Sequence, residues 1–315
     1  MASSSKVLAF QRDWNAYCAL SLVHFMAYPE CQGGEGPILE TVARIADDDF
    51  FSAIELSRIN DDTVRSQTAR LIDQSHMQVA FGAQPIILGS KLNLNASEAS
   101  ERDCAVNVLK TYIAQAAEIG AQQFVILSGA NVVDPYRLVA LKSLSESIRQ
   151  LCAYGQTLGV RIILETFDQK VDKKALVGPA NEAASLAQAI RIDFPNFGIL
   201  YDMGHMPLLD ESPQSALGEL KACLVHAHVG NCVKVSGRTA FGDTHPRFGF
   251  PGSENDVLQL VEFLRALYEV GYLRENIPTE SLPWIGFEIR PQADEEVAVI
   301  LANIKRTWRA AWWEA

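Results

Sequence analysis

The chain has 315 residues, of which 48% are hydrophobic and 21% charged, and its formal net charge is −11. This composition supplies enough apolar material for a large core and differs from that of a disordered chain, in which charged and polar residues predominate. The negative charge argues against a nucleic-acid partner, because phosphate binding depends on clusters of Lys and Arg.

Eight short apolar runs alternate along the chain with amphipathic segments. In the amphipathic segments, apolar residues recur at i, i+3, i+4 and i+7, which is typical of helices that pack on one face. The predicted strands lie at about 19–28, 51–57, 78–83, 123–129, 160–166, 197–202, 224–230 and 284–290. The predicted helices lie in ILETVARIADDD, DTVRSQTARLIDQ, ASERDCAVNVLKTYIAQAAEIG, YRLVALKSLSESIRQLCAYGQTLG, NEAASLAQAIR, SALGELKACL, NDVLQLVEFLRALYEVG and EEVAVILANIKRTWRAAWW. Gly120 and Gly159 are expected to end two of these helices as C-terminal caps.

This alternation predicts the fold. Eight β-then-α units favour a closed (β/α)8 TIM barrel. The alternative is an open, doubly wound sheet, but no GxGxxG or P-loop motif follows the first predicted strand. No Pro- or Ser-rich linker divides the chain, so residues 1–315 are predicted to form a single domain. The longest irregular connection, roughly 231–253, follows the seventh strand, and a loop of that length is more often functional than idle.

Polar side chains stand near the ends of four consecutive predicted strands. They are Glu165 on the fifth strand, Asp202 on the sixth, His228 on the seventh and Glu288 on the eighth. Reactive residues of a (β/α)8 barrel cluster at the C-terminal ends of the strands, so these four are expected on one arc of the mouth. A single acid there would more often be a helix cap or a loop salt bridge, but four on consecutive strands indicate a metal site. Three carboxylates and one imidazole suit Mn²⁺, Mg²⁺ or Co²⁺ better than they suit a thiolate-rich zinc site.

The seventh strand offers two histidines. His226 and His228 are two residues apart and therefore face the same way. His228 lies nearer the rim of the barrel and is predicted to be the ligand. His226 is then expected to be hydrogen-bonded deeper in the barrel interior.

Four other residues are candidates for contact with a substrate. His205 follows Asp202 by three residues, which carries it past the strand and over the mouth, although a surface or capping role is the alternative. Arg247 and His245 lie late in the long loop after the seventh strand. Arg247 can bind a substrate oxygen, whereas His245 can equally stabilise the loop. Glu55, which points inward if the strand alternation holds, is a weaker candidate.

The ordered motifs LET, YDMGH, H-x-H-V-x-N, PGS-x-ND and GFEIRP resemble the xylose isomerase-like barrel superfamily. Within it they resemble the sugar phosphate isomerase/epimerase group, which includes ketose 3-epimerases. The resemblance implies metal ligands at Glu165, Asp202, His228 and Glu288, with the two glutamates acting also as the acid/base pair. It implies that His205 binds a substrate oxygen and that Arg247 matches the arginine of the strand-seven loop. The loops after strands five and seven depart from the epimerase pattern, so the substrate does not follow from the resemblance.

The resemblance implies a divalent-metal-dependent isomerase or epimerase with Mn²⁺, Mg²⁺ or Co²⁺ as its cofactor. Such an enzyme removes a proton next to the carbonyl of a ketose or keto-cyclitol through a metal-stabilised enediolate. One alternative is a lyase acting by β-elimination, either a dehydratase of the inosose or dehydroshikimate type or the catalytic subunit of a C-glycoside deglycosidase, with His205 or His245 as base. Another is a non-catalytic barrel that the metal stabilises. DNA repair of the endonuclease IV type is disfavoured, because it needs a larger, His-rich zinc site.

The expected partner is a small sugar or keto-sugar, with no nucleic acid and no membrane. No apolar run approaches the roughly 18 residues that span a bilayer, and the first residues lack the pattern of a secretory signal. The six cysteines form no CxxC pair, which is typical of reduced thiols. A cytoplasmic protein is therefore predicted, either a homo-oligomer or one with a small partner subunit.

The last predicted helix carries three tryptophans, which are Trp308, Trp312 and Trp313. They are expected to pack this helix on the barrel, with a subunit contact as the alternative.

Overall fold

The computed structural model describes residues 10 and 12–315. Eight parallel strands pair in sequence order and close into a barrel, because the first strand also pairs with the eighth. The strands are β1 (Ala19–Val23), β2 (Ala53–Leu56), β3 (Gln78–Gly82), β4 (Gln123–Leu127), β5 (Arg161–Glu165), β6 (Phe197–Asp202), β7 (Leu224–Gly230) and β8 (Trp284–Glu288). The predicted (β/α)8 TIM barrel is confirmed, whereas a single domain over 1–315 stays a prediction.

Helices surround the barrel. They are α1 (His24–Ala27), α2 (Ile38–Ala46), α3 (Asp62–Ser75), α4 (Gln84–Gly89), α5 (Ala99–Glu118), α6 (Arg137–Thr157), α7 (Ala180–Arg191), α8 (Met206–Leu209), α9 (Pro213–Leu220), α10 (Val257–Glu269) and α11 (Val297–Glu314). Short 3-10 turns lie at Trp14–Ala16, Pro29–Cys31 and Thr279–Ser281. In the described part of the chain, no helix is long and apolar enough to cross a bilayer.

The predicted elements agree with the structure except at the first strand. That strand was expected to run to Tyr28, but it ends at Val23 and the chain continues as α1. All four residues of α1 are buried, and an unbroken apolar run does not distinguish a buried strand from a buried helix. Gly120 and Gly159 follow α5 and α6 with φ angles of 77° and 71°. This left-handed conformation carries no Cβ penalty for glycine, so both predicted caps are confirmed.

The two ends of the described chain meet on the outside of the barrel. Trp308 and Trp312 of α11 are buried, and the ring of Phe10 stacks on Trp312 with centroids 3.8 Å apart. Trp312 Nε1 donates a hydrogen bond to the backbone oxygen of Arg12. The expected packing therefore holds for two of the three tryptophans, while Trp313 is 54% exposed.

Candidate metal centre

The four side chains at the strand ends come together at the C-terminal end of the barrel. The parallel register pairs Glu165 with Leu200, Asp202 with His228 and Glu288 with Gly230, so each of the four lies within two residues of its neighbour along adjacent strands. One donor atom from each of four buried residues lies within 4.8 Å of the other three; the residues are Glu165, Asp202, His228 and Glu288. Two further groups of three share Asp202 or His228 with this cluster, so they are not independent sites.

The cluster fits a divalent cation. Among the described residues, Glu165 Oε1 and Asp202 Oδ2 are buried without a hydrogen-bond partner. His228 Nδ1 faces the same space, 3.8 Å from Glu165 Oε1 and 3.9 Å from Asp202 Oδ2. Buried carboxylate oxygens are unfavourable unless a donor or a cation satisfies them. Because the set is oxygen-rich with one nitrogen, these residues could hold Mn²⁺, Mg²⁺ or Co²⁺.

Glu55 lies behind His228, on the side away from the cluster. Its Oε2 is 3.0 Å from His228 Nε2, and its Oε1 accepts a hydrogen bond from Ser21 at 2.6 Å. A carboxylate in this position favours the hydrogen on Nε2 and leaves Nδ1 for a cation, as is usual behind metal-binding histidines. Glu55 points inward as expected, but it is not among the residues that line the cavity described below. From this position Glu55 can orient His228, and its contact with a substrate stays a prediction.

His226 occupies the deeper position that the alternation of β7 predicts. Its Nδ1 is hydrogen-bonded to Gln123 Oε1 at 2.8 Å, and its Nε2 is 3.2 Å from Glu55 Oε1. Burial opposes a charged His228, but Glu55 and Glu288 outweigh burial and raise the pKa of His228 well above its usual value. Burial also lowers the pKa of His226, whose ring has weaker carboxylate contacts.

The two glutamates of the cluster differ in their pKa. Burial, with the charge of Glu288 beside it, raises the pKa of Glu165 to about 8. Burial acts in the same direction on Glu288, but His245 and His228 outweigh it and lower the pKa of Glu288 to about 2. Identical side chains within one small volume therefore have different proton affinities, because different neighbours surround them.

A cavity of about 340 Å³ opens beside the cluster, a size within the usual range for small-molecule pockets. Glu288 and His245 lie on its wall. The other polar lining residues are Gln32, Gln84, Asp172, Lys173, Asp243, Thr244, Arg290 and Gln292. The remaining lining is apolar and consists of Phe25, Met26, Pro85, Leu88 and Phe167. The lining thus combines apolar side chains with many hydrogen-bonding groups.

His205 and His245 lie side by side, with ring centroids 5.5 Å apart, and both are buried. Their Nδ1 atoms are 2.7 Å from the backbone oxygen of Thr166 and 3.1 Å from that of Glu288, respectively. A carbonyl oxygen only accepts hydrogen bonds, so each Nδ1 carries a hydrogen. Both Nε2 atoms contact one oxygen, Asp243 Oδ1, at 3.1 Å from His205 and 2.8 Å from His245. His245 therefore makes the loop contact that was its alternative role, and it also borders the cavity.

Asp243 was missed in the sequence, because an acid in a polar loop gives no sign that it will be buried. Its Oδ2 lies 3.0 Å from Lys173 Nζ in the loop after β5. Burial opposes its ionisation, but His205, His245 and Lys173 outweigh burial and hold the pKa of Asp243 well below its usual range. One carboxylate thus joins two histidines and two loops at the mouth.

The structure does not bring Arg247 to the cavity. Its Nε is 2.9 Å from Glu295 Oε1, and its Nη1 donates to the backbone oxygens of Phe248 and Gly249. The cations that line the cavity are Lys173 and Arg290. Arg290 follows Glu288 by two residues, and that spacing was the available signal, since residues two apart on an extended chain face the same way.

Two asparagines hold the long loop after β7 on the barrel. Asn231 Nδ2 donates to the backbone oxygen of Arg247 and to Ser253 Oγ, while its Oδ1 accepts from the backbone of Asn255 at 2.8 Å. Asn255 Nδ2 donates to the backbone oxygens of Met203 and Gly230. The Asn of H-x-H-V-x-N and the Asn of PGS-x-ND are therefore paired across the loop. This pairing gives a long irregular segment a fixed place above the site.

The chain belongs to the xylose isomerase-like TIM barrel family, whose model matches residues 42–299. The superfamily resemblance seen in the motifs is thereby confirmed. Among curated proteins, none matches this sequence.

Several solved structures share the fold. A D-tagatose 3-epimerase-like protein superposes with a TM-score of 0.67 and 17% identity, covering 93% of this chain and 98% of that chain. D-psicose 3-epimerase from Clostridium cellulolyticum H10 gives 0.65 and 16%, with 93% and 96% covered. The 3-keto-D-glucoside 4-epimerase from E. coli gives 0.62 and 14%, with 92% and 98% covered. At such identities the similarity shows a common fold.

Proposed function

We propose that the protein is a divalent-metal-dependent isomerase or epimerase of a ketose or keto-cyclitol. The observation that carries this proposal is the cluster of Glu165, Asp202, His228 and Glu288, whose donor atoms lie within 4.8 Å of one another beside a cavity of about 340 Å³. Structures of the same fold include a D-tagatose 3-epimerase-like protein, a D-psicose 3-epimerase and a 3-keto-D-glucoside 4-epimerase, which supports a sugar substrate.

Glu165 and Glu288 are the proposed acid/base pair. Both reach the cluster, and they come from strands on either side of β6 and β7, so a sugar bound over the cluster would have one carboxylate on each side. One carboxylate can take the proton from the carbon next to the carbonyl, and the other can return a proton to the opposite face. These two proton transfers together invert the configuration at that carbon. A divalent cation held by the four side chains would supply Lewis-acid stabilisation of the enediolate charge.

The surroundings of the histidines favour an isomerase over the β-elimination lyase. A histidine base needs an unprotonated ring nitrogen that faces the substrate. In His205 and His245, both Nδ1 atoms face backbone carbonyls, and both Nε2 atoms contact Asp243. Every ring nitrogen of the two histidines therefore has a hydrogen-bond acceptor beside it. The position of the cluster beside a cavity likewise argues against a purely structural metal, which is normally enclosed on all sides.

The test is solvent-deuterium incorporation. The protein is incubated with Mn²⁺ in D₂O and a panel of ketoses, keto-inositols and 3-keto-glycosides, with an Asp202→Asn variant as the inactive control. We expect deuterium at the carbon next to the carbonyl of recovered substrate or product for at least one member. Release of a β-substituent would instead indicate a lyase, and a lack of exchange across the panel would contradict the proposal.

A further inference from the structure

Gln84 is buried between the metal cluster and the cavity. It is the first residue of α4, directly after β3, and its side chain is only 8% exposed. Its Nε2 donates a 2.6 Å hydrogen bond to Glu165 Oε2. Among the described residues, its Oε1 has no hydrogen-bond partner, although Gln84 lines the cavity. One amide thus touches a proposed acid/base residue and carries a buried acceptor that no group in the described part of the chain satisfies.

The orientation of this amide follows from its partner. A cation held by the cluster would keep Glu165 ionised. An ionised carboxylate accepts hydrogen bonds and cannot donate them, so the amide nitrogen faces Glu165 and the amide oxygen faces elsewhere. Tight packing keeps the group in place. A Cβ on Gly82 would lie 2.7 Å from both Gln84 Oε1 and the ring of Phe25, so only glycine leaves room for these two side chains.

The contact also limits what Glu165 can do. With Oε2 held by Gln84, the free oxygen of the carboxylate is Oε1. Glu165 Oε1 is the atom that lies 3.8 Å from His228 Nδ1 in the cluster. Gln84 therefore selects the rotation of the carboxylate that presents one oxygen to the cluster.

We propose that Gln84 is a positioning and specificity-determining residue of this site, whose amide nitrogen fixes Glu165 and whose amide oxygen accepts a hydrogen bond from a substrate hydroxyl. This inference rests on the proposed function. A buried acceptor beside a cavity is unfavourable when empty and selects a ligand that supplies a donor. A site of this kind discriminates against analogues that lack the matching hydroxyl.

The positioning role is tested with Mn²⁺ alone. Titration calorimetry compares the wild type with Gln84→Met, which keeps the length of the side chain and removes its polar atoms. We expect Mn²⁺ affinity to fall about 10–100-fold, as it does when support behind a metal ligand is lost. Gln32→Met is the matched control, since Gln32 lines the same cavity and is not part of the cluster, and its Mn²⁺ affinity should stay within about twofold. If Gln84→Met does not fold, Gln84→Ala, which leaves room for water, replaces it.

The acceptor role is tested with deoxy-ketoses. For the ketose that exchanges deuterium fastest, each mono-deoxy analogue is compared in the wild type and in Gln84→Met. With the wild type, we expect kcat/KM for one analogue to be about tenfold lower than for the parent ketose. With Gln84→Met, we expect kcat/KM for that analogue and for the parent ketose to be equal, because the removed hydroxyl and the removed acceptor are partners. Loss by the same factor in both proteins for every analogue would overturn the acceptor role.

The outcomes separate this inference from the proposed function. An active, Mn²⁺-binding wild type together with a Gln84→Met variant of unchanged Mn²⁺ affinity overturns the positioning role alone. A wild type that binds no Mn²⁺ and exchanges no deuterium overturns the proposed function, and the inference with it.

Discussion

At the residue scale, the surroundings of Glu165 and Glu288 explain why two identical side chains differ in proton affinity. Glu165 has one oxygen held by Gln84 and one without a partner. Glu288 Oε2 lies 2.8 Å from His228 Nδ1, and Glu288 Oε1 lies 3.6 Å from His245 Nε2. His245 and His228 lower the pKa of Glu288, while burial beside the charge of Glu288 raises the pKa of Glu165. Such divergence within a pair is typical of acid/base catalysts.

Replacing either glutamate by glutamine should abolish turnover. Glu165→Gln and Glu288→Gln each keep the side-chain volume and remove the carboxylate, and general acid–base catalysis typically contributes 10²–10⁴-fold. We expect kcat in the deuterium-exchange assay to fall by at least about 100-fold, with circular dichroism unchanged. Glu262→Gln on the exposed face of α10 is the control. Retention of more than about a tenth of the activity would argue against the assigned roles.

His24 should make stability depend on pH. It is buried at the start of α1 with its Nε2 2.8 Å from Thr41 Oγ1, and burial lowers its pKa from 6.5 to about 4. The unfolded chain takes up a proton at about pH 6.5, whereas the folded protein does so only near pH 4. The contribution is therefore complete above pH 6.5 and is lost as pH falls towards 4. At 1.36 kcal/mol per pKa unit, the loss is about 3 kcal/mol.

Urea unfolding of the wild type and His24→Gln across pH 4–7 measures this effect, since glutamine can still donate to Thr41 and does not titrate. We expect the difference in unfolding free energy between the two proteins to shrink as the pH falls, because only the wild type loses stability through this group. Parallel profiles would show that His24 is not the source.

At the scale of elements, Gly286 of β8 leaves space for side chains that come from β2 and β7. Its register partners are Ser21 and His228. A Cβ at this position would lie 2.2 Å from Glu55 Oε1 and 2.7 Å from His228 Cδ2. The absence of a side chain therefore gives Glu55 the space from which it orients His228. The glycine of GFEIRP thus leaves room inside the barrel for the side chains of Glu55 and His228.

Gly286→Ala should weaken the site and the fold together. The added methyl group must displace Glu55 or His228, and such overpacking typically costs about 1–3 kcal/mol. We expect urea unfolding at lower denaturant and weaker Mn²⁺ binding by calorimetry. Gly218→Ala in α9 is the matched control, because nothing lies within 4 Å of its added Cβ. In a helix this exchange should be neutral or stabilise by up to about 1 kcal/mol. Equal behaviour of both variants would contradict the steric account.

At the scale of the whole molecule, the cluster joins distant parts of the chain. Its members come from β5, β6, β7 and β8, and their support comes from β1, β2 and the turn after β3. A cation bound there would tie most of the barrel's strands to one point. It would bind the folded protein only, so it would add stability by mass action.

Chelation should therefore both inactivate and destabilise the protein. EDTA treatment is expected to remove activity, and Mn²⁺, Co²⁺ or Mg²⁺ to restore it. At a free Mn²⁺ concentration about 100-fold above Kd, the gain is about 2.7 kcal/mol, which corresponds to a rise of several degrees in Tm. Differential scanning calorimetry with and without Mn²⁺ measures it, and Asp202→Asn should show little of the rise. Full activity in a preparation proved metal-free by elemental analysis would refute the site.

The sequence alone predicted the features of this protein that depend on the local pattern of apolar and polar residues. The alternation of apolar runs and amphipathic segments predicted eight strands and the barrel. Strands buried on both faces read as unbroken apolar runs, whereas a helix buried on one face shows apolar residues with a period of 3.6. Strand ends share one face in such a barrel, so Glu165, Asp202, His228 and Glu288 could be placed together before any coordinates. The end of β1 could not be placed, because every residue on both sides of it is buried.

Tertiary structure decided the surroundings of those four residues. Gln84, Asp243 and Lys173 come from loops or from the start of a short helix, where no periodicity fixes the direction of a side chain. Arg247 was expected in the cavity and instead pairs with Glu295, because the pairing of Asn231 with Asn255 sets the path of the loop. Hydrogen bonds between residues far apart in the chain fix these positions, and such contacts leave no pattern in a single sequence.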